Sequence, residues 1–275
     1  MGRTVRETDA KVQFARDGYT IKRNLFSVDE TLLMVRALEQ DPLIAKHSFY
    51  RADNEGQKTL AVQWNNPGNS TYGIGARMHR VVDVVEKLLD SEVYHWQSKV
   101  TAKEAKVGGA WEWHQDYGYW YNYGCLYPDM CSVMVALDRA AITNGCLKVL
   151  RGSHKIGRIN HIIDSGGQVN AERERVEWAL GQHDEVNCEL EPGDALFFHC
   201  NLLHSSGSNR SSDRRWALLY CYNSVSNKPF KESHNASYSK IKKVNDSRLL
   251  ERGILFADGN EDFQSTYVKV LKSKS

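Results

Sequence analysis

The sequence predicts a mainly β protein with flanking α-helices, its core a double-stranded β-helix, or jelly roll. Three observations carry that expectation. From Val93 onward the chain breaks into about eight short apolar segments separated by turn residues, the texture of a double-sheet barrel. Long helical periodicity is confined to the stretch before it. No repeat or linker divides the chain, so the helices are expected to buttress one side of the same domain. The expectation is a single domain over residues 1–275. It comprises a helical buttress at about 9–90, a core at about 93–224 and a polar extension at about 225–275.

Asp9 to Arg16 reads as a helix stopped by Asp17-Gly18, and Tyr19-Thr20-Ile21 has strand character. Ser27-Val28-Asp29-Glu30 is a capping box: serine and glutamate side chains can each accept a backbone N–H of the other residue. It opens a helix through about Gln40, with Leu32, Leu33, Val35 and Leu38 available for burial. Residues 48–71 are polar and rich in glycine and asparagine, so a loop is expected there. The clearest helix runs from Tyr72 to Asp90. Ile74, Met78, Val81, Val82, Val85, Leu88 and Leu89 fall on one face at helical spacing, and that stripe needs a cover.

Strands are expected at Val93–Lys103, Trp111–Asp116, Cys131–Leu137 and Gly145–Leu150, the last two separated by a turn ending in Asn144-Gly145. Val186, Cys188 and Leu190 alternate with polar neighbours before the turn Glu191-Pro192-Gly193-Asp194. The apolar strand Ala195–His199 follows, and Arg214–Tyr222 is the last. The lysine-rich tail reads mainly as a solvated face, with a short helix near Ser247–Arg252.

A net charge of +2, with 25% charged and 41% hydrophobic residues, gives no electrostatic case for a nucleic acid or an anionic membrane. No apolar run approaches the roughly 18–20 residues that span a bilayer. The opening Met1-Gly2-Arg3-Thr4-Val5-Arg6 has neither a signal peptide's apolar core nor a myristoylation pattern. Six scattered cysteines without a Cys-x-x-Cys pair suit small buried residues in a reducing compartment, so cytoplasm is the expectation. The expected partner is a small molecule; oligomeric state is left open.

In Trp111-Glu112-Trp113-His114-Gln115-Asp116, an imidazole and a carboxylate lie two residues apart, and residues i and i+2 of an extended strand share a face. Two imidazoles and one carboxylate with open positions opposite is the pattern of non-haem Fe(II) oxygenases. His-x-Asp/Glu is a weak signal alone, since His183-Asp184-Glu185 repeats it. For the third ligand, His204 follows the apolar strand and precedes Ser205-Ser206-Gly207; His199 is its competitor. His154 reads as a turn residue or a support for the ligands, and His95 as a satisfied strand residue. Arg215, eleven positions after His204, opens the last strand. A surface charge is its ordinary reading, but a buried guanidinium there would fork onto a carboxylate.

Taken together, His114-Gln115-Asp116, Asn144-Gly145-Cys146-Leu147, Gly152-Ser153-His154-Lys155, Pro192-Gly193-Asp194 and His204 with Arg215 resemble the phytanoyl-CoA hydroxylase family. The opening Phe14-Ala15-Arg16-Asp17-Gly18-Tyr19 is similar too, and the resemblance covers residues about 10–224. It implies an Fe(II)- and 2-oxoglutarate-dependent dioxygenase, with O2 as the other co-substrate and ascorbate as an activator in vitro. Carried over, His114, Asp116 and His204 would bind iron, and Arg215, helped by Ser206, would hold the distal carboxylate of 2-oxoglutarate. Lys99, Thr101 and Ser132 would be further co-substrate contacts. Gln97 and Trp120 match substrate-touching positions of ectoine hydroxylase, a member of the family. Arg151 departs from the proline common before Gly-Ser-His, and Lys99 is not a constant feature of the family.

Such an enzyme couples decarboxylation of 2-oxoglutarate to hydroxylation of an unactivated C–H bond. Asp116 favours hydroxylation, because related halogenases replace that carboxylate with a small residue. Trp120 and Tyr117, within the run Tyr117, Tyr119, Trp120, Tyr121 and Tyr123, offer a cation–π cage against the ordinary reading of core packing. Arg158 could hold an anionic group, against the ordinary reading of a surface charge. A small polar or zwitterionic metabolite fits this pocket, either an aminoalkylphosphonate such as 2-aminoethylphosphonate or an ectoine-like amino acid. The alternatives are an acyl-CoA hydroxylase using the C-terminal lysines for the nucleotide phosphates, and a metal-binding jelly roll without turnover.

Overall fold

The computed structural model describes residues 10–164, 168–231 and 238–264. Its helices are α1 (Ala10–Asp17), α2 (Val28–Gln40), α3 (Pro42–His47), α4 (Thr71–Gly75), α5 (His79–Leu89), α6 (Asp116–Trp120), α7 (Arg173–Gln182) and α8 (Arg248–Arg252). The first seven strands are β1 (Tyr19–Lys22), β2 (Phe49–Ala52), β3 (Lys58–Trp64), β4 (Val93–Lys103), β5 (Trp111–His114), β6 (Met130–Ala136) and β7 (Leu147–Leu150). Then come β8 (His161–Ile163), β9 (Val169–Ala171), β10 (Glu185–Cys188), β11 (Ala195–His199), β12 (His204–Ser206) and β13 (Arg215–Ser224). The major sheet runs β1-β11-β6-β13-β4-β3-β2 and the minor sheet β10-β7-β12-β5, with all pairings antiparallel. This is the expected mostly antiparallel jelly-roll core with flanking helices.

Strand periodicity sorts the two faces of the major sheet. Val133 and Val135 of β6 join Phe14, Met34, Val81 and Val85 in a core beneath the helices. Met134 and Ala136 point the other way, with Leu147 and Val149 of the minor sheet. The helical stripe is thus covered by a sheet. On α2 the capping box forms as expected, with Ser27 accepting the Glu30 N–H and Glu30 the Ser27 N–H. Met34, Val35 and Leu38 are buried, whereas Leu32 turns outward, on the far side of the helix.

Three expectations are corrected. Residues 48–71 are not a loop: β2 and β3 extend the major sheet beside β4. Polar residues there hid a strand, because Thr59 and Gln63 face inward and hydrogen-bond to Gly109 O and Gln97 Oε1. The helix from Tyr72 to Asp90 is two helices, interrupted over residues 76–78. Met78 is extended (φ −63°, ψ 141°), the N–H of His79 donates to Val244 O, and the Tyr222 hydroxyl takes Ala76 O at 2.6 Å. The strand from Trp111 stops at His114, and Asp116 begins α6.

Where it is described, the extension after residue 224 is mostly exposed, as expected, and is anchored at a few buried points. Leu249 and Ile241 are buried in the helical core, and Phe263 stacks on His47. Lys240 pairs with Glu92, and Lys243 with Asp83 and Glu86. Lys228, Lys231 and Lys242 are exposed, and the lysines beyond residue 264 lie outside the described residues, as does the N-terminal hexapeptide. No helix among the described residues is long and apolar enough to cross a membrane.

Candidate active site

Between the two sheets lies a cavity lined from both. Phe49, Arg51, Gln63, Lys99, Thr101, Phe198 and Arg215 come from the major sheet; Trp111, His114, His204 and Ser206 come from the minor one. The predicted ligands meet at its floor. His114 ends β5 and stands directly opposite His204 of β12 in the antiparallel register. Gln115 keeps the extended backbone (φ −115°, ψ 134°), so Asp116 returns to the face of His114 although it belongs to a helix. The Gln115 side chain points away, donating to Gly157 O and Asn201 O and accepting the Ile159 N–H. One potential ligand atom from each of His114, Asp116 and His204 lies within 4.8 Å of the other two.

The surrounding hydrogen bonds fix the state of each ligand. His114 Nδ1 is 2.7 Å from Glu112 O and His204 Nδ1 is 2.9 Å from Leu202 O. A carbonyl can only accept, so Nδ1 carries the proton in both rings and each Nε2 is left with a lone pair. Burial holds both imidazoles below their usual pKa, and for His114 the neighbouring His204 adds to the effect. Burial alone would raise Asp116; Lys99, His204 and His114 outweigh it and keep the carboxyl well below the usual carboxylate range. Asp116 Oδ1 accepts from the Tyr119 hydroxyl at 2.8 Å and from Lys99 at 3.4 Å, and Oδ2 accepts from Ser132 at 2.7 Å. Two neutral imidazoles and one oriented carboxylate fit a divalent iron.

Arg215 is 2% exposed and lines the cavity, its Nε has no hydrogen-bond partner, and no salt bridge reaches it among the described residues. Burial pushes its pKa down to about 10. Directly across the strand pair stands Lys103, fully buried, donating to Ser206 Oγ at 2.8 Å and to Gly207 O. Burial, with Arg215 beside it, lowers that amine too. Arg215 thus presents a buried guanidinium with no salt bridge among the described residues, and Lys103 stands behind it, bonded to Ser206 and Gly207. The sequence reading missed Lys103, although Lys99, Thr101 and Lys103 follow one another on a single strand face.

Other expected residues fall in different places. Thr101 and Lys99 line the cavity, whereas Ser132 does not; it holds Asp116. Gln97 lies one layer back and accepts from Gln63, which lines the cavity in its place. Trp120 is fully buried against Trp96 and Tyr119. The Tyr117 hydroxyl donates to Cys125 O, and Arg158 lies over Tyr121 with two bonds to Gly118 O. Of the aromatic run, Tyr119 alone lines the cavity, so no cage forms there. His199 packs on His154 and Phe14, and His95 bonds Asn65 O and Ser98 Oγ. Arg51, Phe49 and Gln63 went unseen because their strands were read as a loop. His161 was also missed: its Nε2 accepts the Gln115 N–H at 2.8 Å and so pins the peptide between the two ligands.

Comparison with known proteins agrees with this geometry. The phytanoyl-CoA dioxygenase family matches residues 14–217. An L-proline trans-4-hydroxylase from Streptomyces griseoviridis is 31% identical over 80% of this chain and 88% of its own length. An ectoine dioxygenase from Stutzerimonas stutzeri is 27% identical over 78% and 76%. The crystal structure of EctD from S. alaskensis with bound Fe superposes with a TM-score of 0.71 at 23% identity, covering 86% of both chains. EctD with 2-oxoglutarate and 5-hydroxyectoine gives 0.66 at 25% identity, covering 87% of this chain and 84% of that one. With its neutral imidazoles and oriented carboxylate brought to one point, the chain belongs to the phytanoyl-CoA dioxygenase family and is an iron- and 2-oxoglutarate-dependent dioxygenase.

Proposed function

We propose that the chain hydroxylates an unactivated C–H bond of a small amino-acid-like substrate, with iron on His114, Asp116 and His204 and 2-oxoglutarate seated at Arg215. The observation that carries this reading is a triad of ready ligands in one cavity with a buried guanidinium, Arg215, that has no salt bridge among the described residues. Iron, 2-oxoglutarate and O2 together supply the oxidising chemistry. The protein binds, orients and screens. Arg215 offers the fork for a distal carboxylate, Ser206 a hydroxyl beside it, and Thr101 a further polar wall. Phe198, Met134 and Leu219 give that end of the cavity an apolar lining that keeps water from the reacting centre. The proline and ectoine relatives support an amino acid over an aminoalkylphosphonate. The same relatives support an amino acid over an acyl-CoA.

The test is succinate formation from 2-oxoglutarate with Fe(II), O2 and ascorbate, alongside a metabolite screen for a mass gain of one oxygen. His114→Ala should abolish turnover, and Arg215→Ala should weaken 2-oxoglutarate binding at least about 30-fold. A wild-type protein that binds iron but neither binds nor consumes 2-oxoglutarate would sink the proposal.

A further inference from the structure

The strand that carries His114 slips register by one residue against β12. His114 stands opposite His204 and Trp111 opposite Ser206, so two steps along β12 span three along β5. In a regular strand, residues three apart face opposite sides. The extra residue turns Trp111 back, and it lines the same cavity as His114. Trp113 lies on the other side of the slip, under Lys148 and against the cluster of Leu150 and Ile159. Of the seven tryptophans, Trp111 alone lines the cavity. Its Nε1 is buried and has no hydrogen-bond partner. An indole N–H can only donate, so a donor is fixed in the cavity wall before any acceptor arrives. A buried donor of this kind is disfavoured until a ligand supplies the missing oxygen.

Resting on the reading of Arg215 as the seat of 2-oxoglutarate, we propose that the indole N–H of Trp111 donates to the distal carboxylate of that co-substrate. The cross-strand partner of Trp111 is Ser206, and Ser206 and Arg215 line the cavity with it. Directly opposed side chains of an antiparallel pair start about 5 Å apart, close enough to reach one anion together. His114 and His204 lie at the other end of the pairing, so Trp111 is set toward the carboxylate remote from the metal ligands. A carboxylate taken out of water has about four lone-pair sites to satisfy. Arg215 offers its fork from the major sheet, and Ser206 and Trp111 offer one donor each from the minor sheet. The anion is gripped from both sheets. Trp111 thereby helps to select a diacid, because a 2-oxo acid that ends in a methyl group leaves the indole N–H unpaired.

The first measurement is anaerobic calorimetry of the Fe(II)-loaded protein with 2-oxoglutarate and with 2-oxovalerate, in which a methyl group replaces the distal carboxylate. Trp111→Phe keeps an aromatic ring and removes the N–H. It should weaken 2-oxoglutarate about tenfold or more and 2-oxovalerate by less than about threefold. The second measurement reads the bond itself, by NMR of the indole N–H protons in the Zn(II)-loaded protein. The resonance absent from Trp111→Phe belongs to Trp111, and Trp111→Leu gives the same assignment should the first variant not fold. Saturation with 2-oxoglutarate should move that resonance downfield, and 2-oxovalerate should leave it near its ligand-free position. An unmoved Trp111 resonance, an equal shift with both ligands, or an equal loss of both affinities in Trp111→Phe overturns the role of Trp111. None of those results disturbs the dioxygenase reading while wild type still binds and consumes 2-oxoglutarate. A wild-type protein that does neither is the separate failure, and it removes this proposal as well.

Discussion

Lys103 donates to the hydroxyl of Ser206 at 2.8 Å from a position where it has no access to solvent. An oxygen that accepts from an ammonium keeps its own hydrogen free, so Ser206 is set to donate into the cavity it lines. The same lysine sits opposite Arg215 in the strand register, behind the cavity wall to which Ser206 and Arg215 contribute. Lys103→Met keeps the length and removes the charge. It should raise the Kd for 2-oxoglutarate about 10- to 100-fold, in line with the loss of a charged hydrogen bond, and leave iron affinity unchanged. Anaerobic titration of each ligand checks both halves; an unaltered co-substrate affinity would show that Lys103 only props the loop.

Asp116 is held at both oxygens, by Tyr119 and Lys99 on one and Ser132 on the other. Supports of this kind commonly account for about 10- to 100-fold in metal affinity. Ser132→Ala and Tyr119→Phe should therefore each weaken Fe(II) binding within that range. Ser132→Ala should leave the 2-oxoglutarate affinity of the iron-saturated protein near the wild-type value, because Ser132 does not line the cavity. A competition assay with a chelator reads the first number and calorimetry the second. A Ser132→Ala protein with lower 2-oxoglutarate affinity at saturating iron would instead make Ser132 a co-substrate contact.

How much of this was legible depends on where each signal resides. His114 and Asp116 could be found because strand geometry turns a two-residue spacing into a shared face, and His204 and Arg215 because their order and spacing resemble the family's motifs, an arginine opening a strand being by itself an ordinary surface charge. The extended Gln115 preserves that logic even though the strand ends at His114. Arg51 and Gln63 were hidden because a strand facing a polar cavity has no apolar alternation; Thr59 and Gln63 read as loop residues while their hydrogen bonds were with distant parts of the chain. Trp120 was misplaced for the opposite reason. An aromatic run fixes composition, but the turn from α6 into Tyr121–Tyr123 sends Trp120 into the core and Tyr119 to the cavity. The break at residues 76–78 needed tertiary partners, Tyr222 and Val244, that no local window contains.

His95 predicts how the fold responds to acid. It is buried between Asn65 O and Ser98 Oγ, and burial lowers its pKa from 6.5 to about 4. The unfolded chain therefore binds more protons than the folded one between those values. The contribution of His95 is complete above pH 6.5 and is lost as pH falls toward 4, by about 1.4 kcal/mol per pH unit and about 3 kcal/mol in all. His161 and His199, pushed by burial to about 4 and about 3, add to the loss in the same direction. Urea denaturation at several pH values should show His95→Gln, which can keep a donor and an acceptor, with a shallower decline than wild type. Parallel profiles would mean that other groups set the acid limit.

Gly118 ties the floor of the cavity to the strand pair β8 and β9. A Cβ placed there would lie 2.1 Å from His161 Cε1 and Nδ1, far inside any tolerable contact. The ring cannot simply swing aside, since Nδ1 is bonded to Ile159 O at 2.8 Å and Nε2 receives the Gln115 N–H at the same distance. Gly118→Ala must therefore displace His161 and release the peptide that spaces His114 from Asp116. Overpacking of this kind costs about 1–3 kcal/mol of stability. The loosened ligand spacing should also lower Fe(II) affinity, by about tenfold or more. His161→Ala in the Gly118→Ala background separates the two effects. Removing the ring relieves the clash, so stability should recover in part, but the Gln115 N–H stays without its acceptor and iron affinity should remain low. Full recovery of iron binding in the double variant would show that His161 only fills space beneath the ligands.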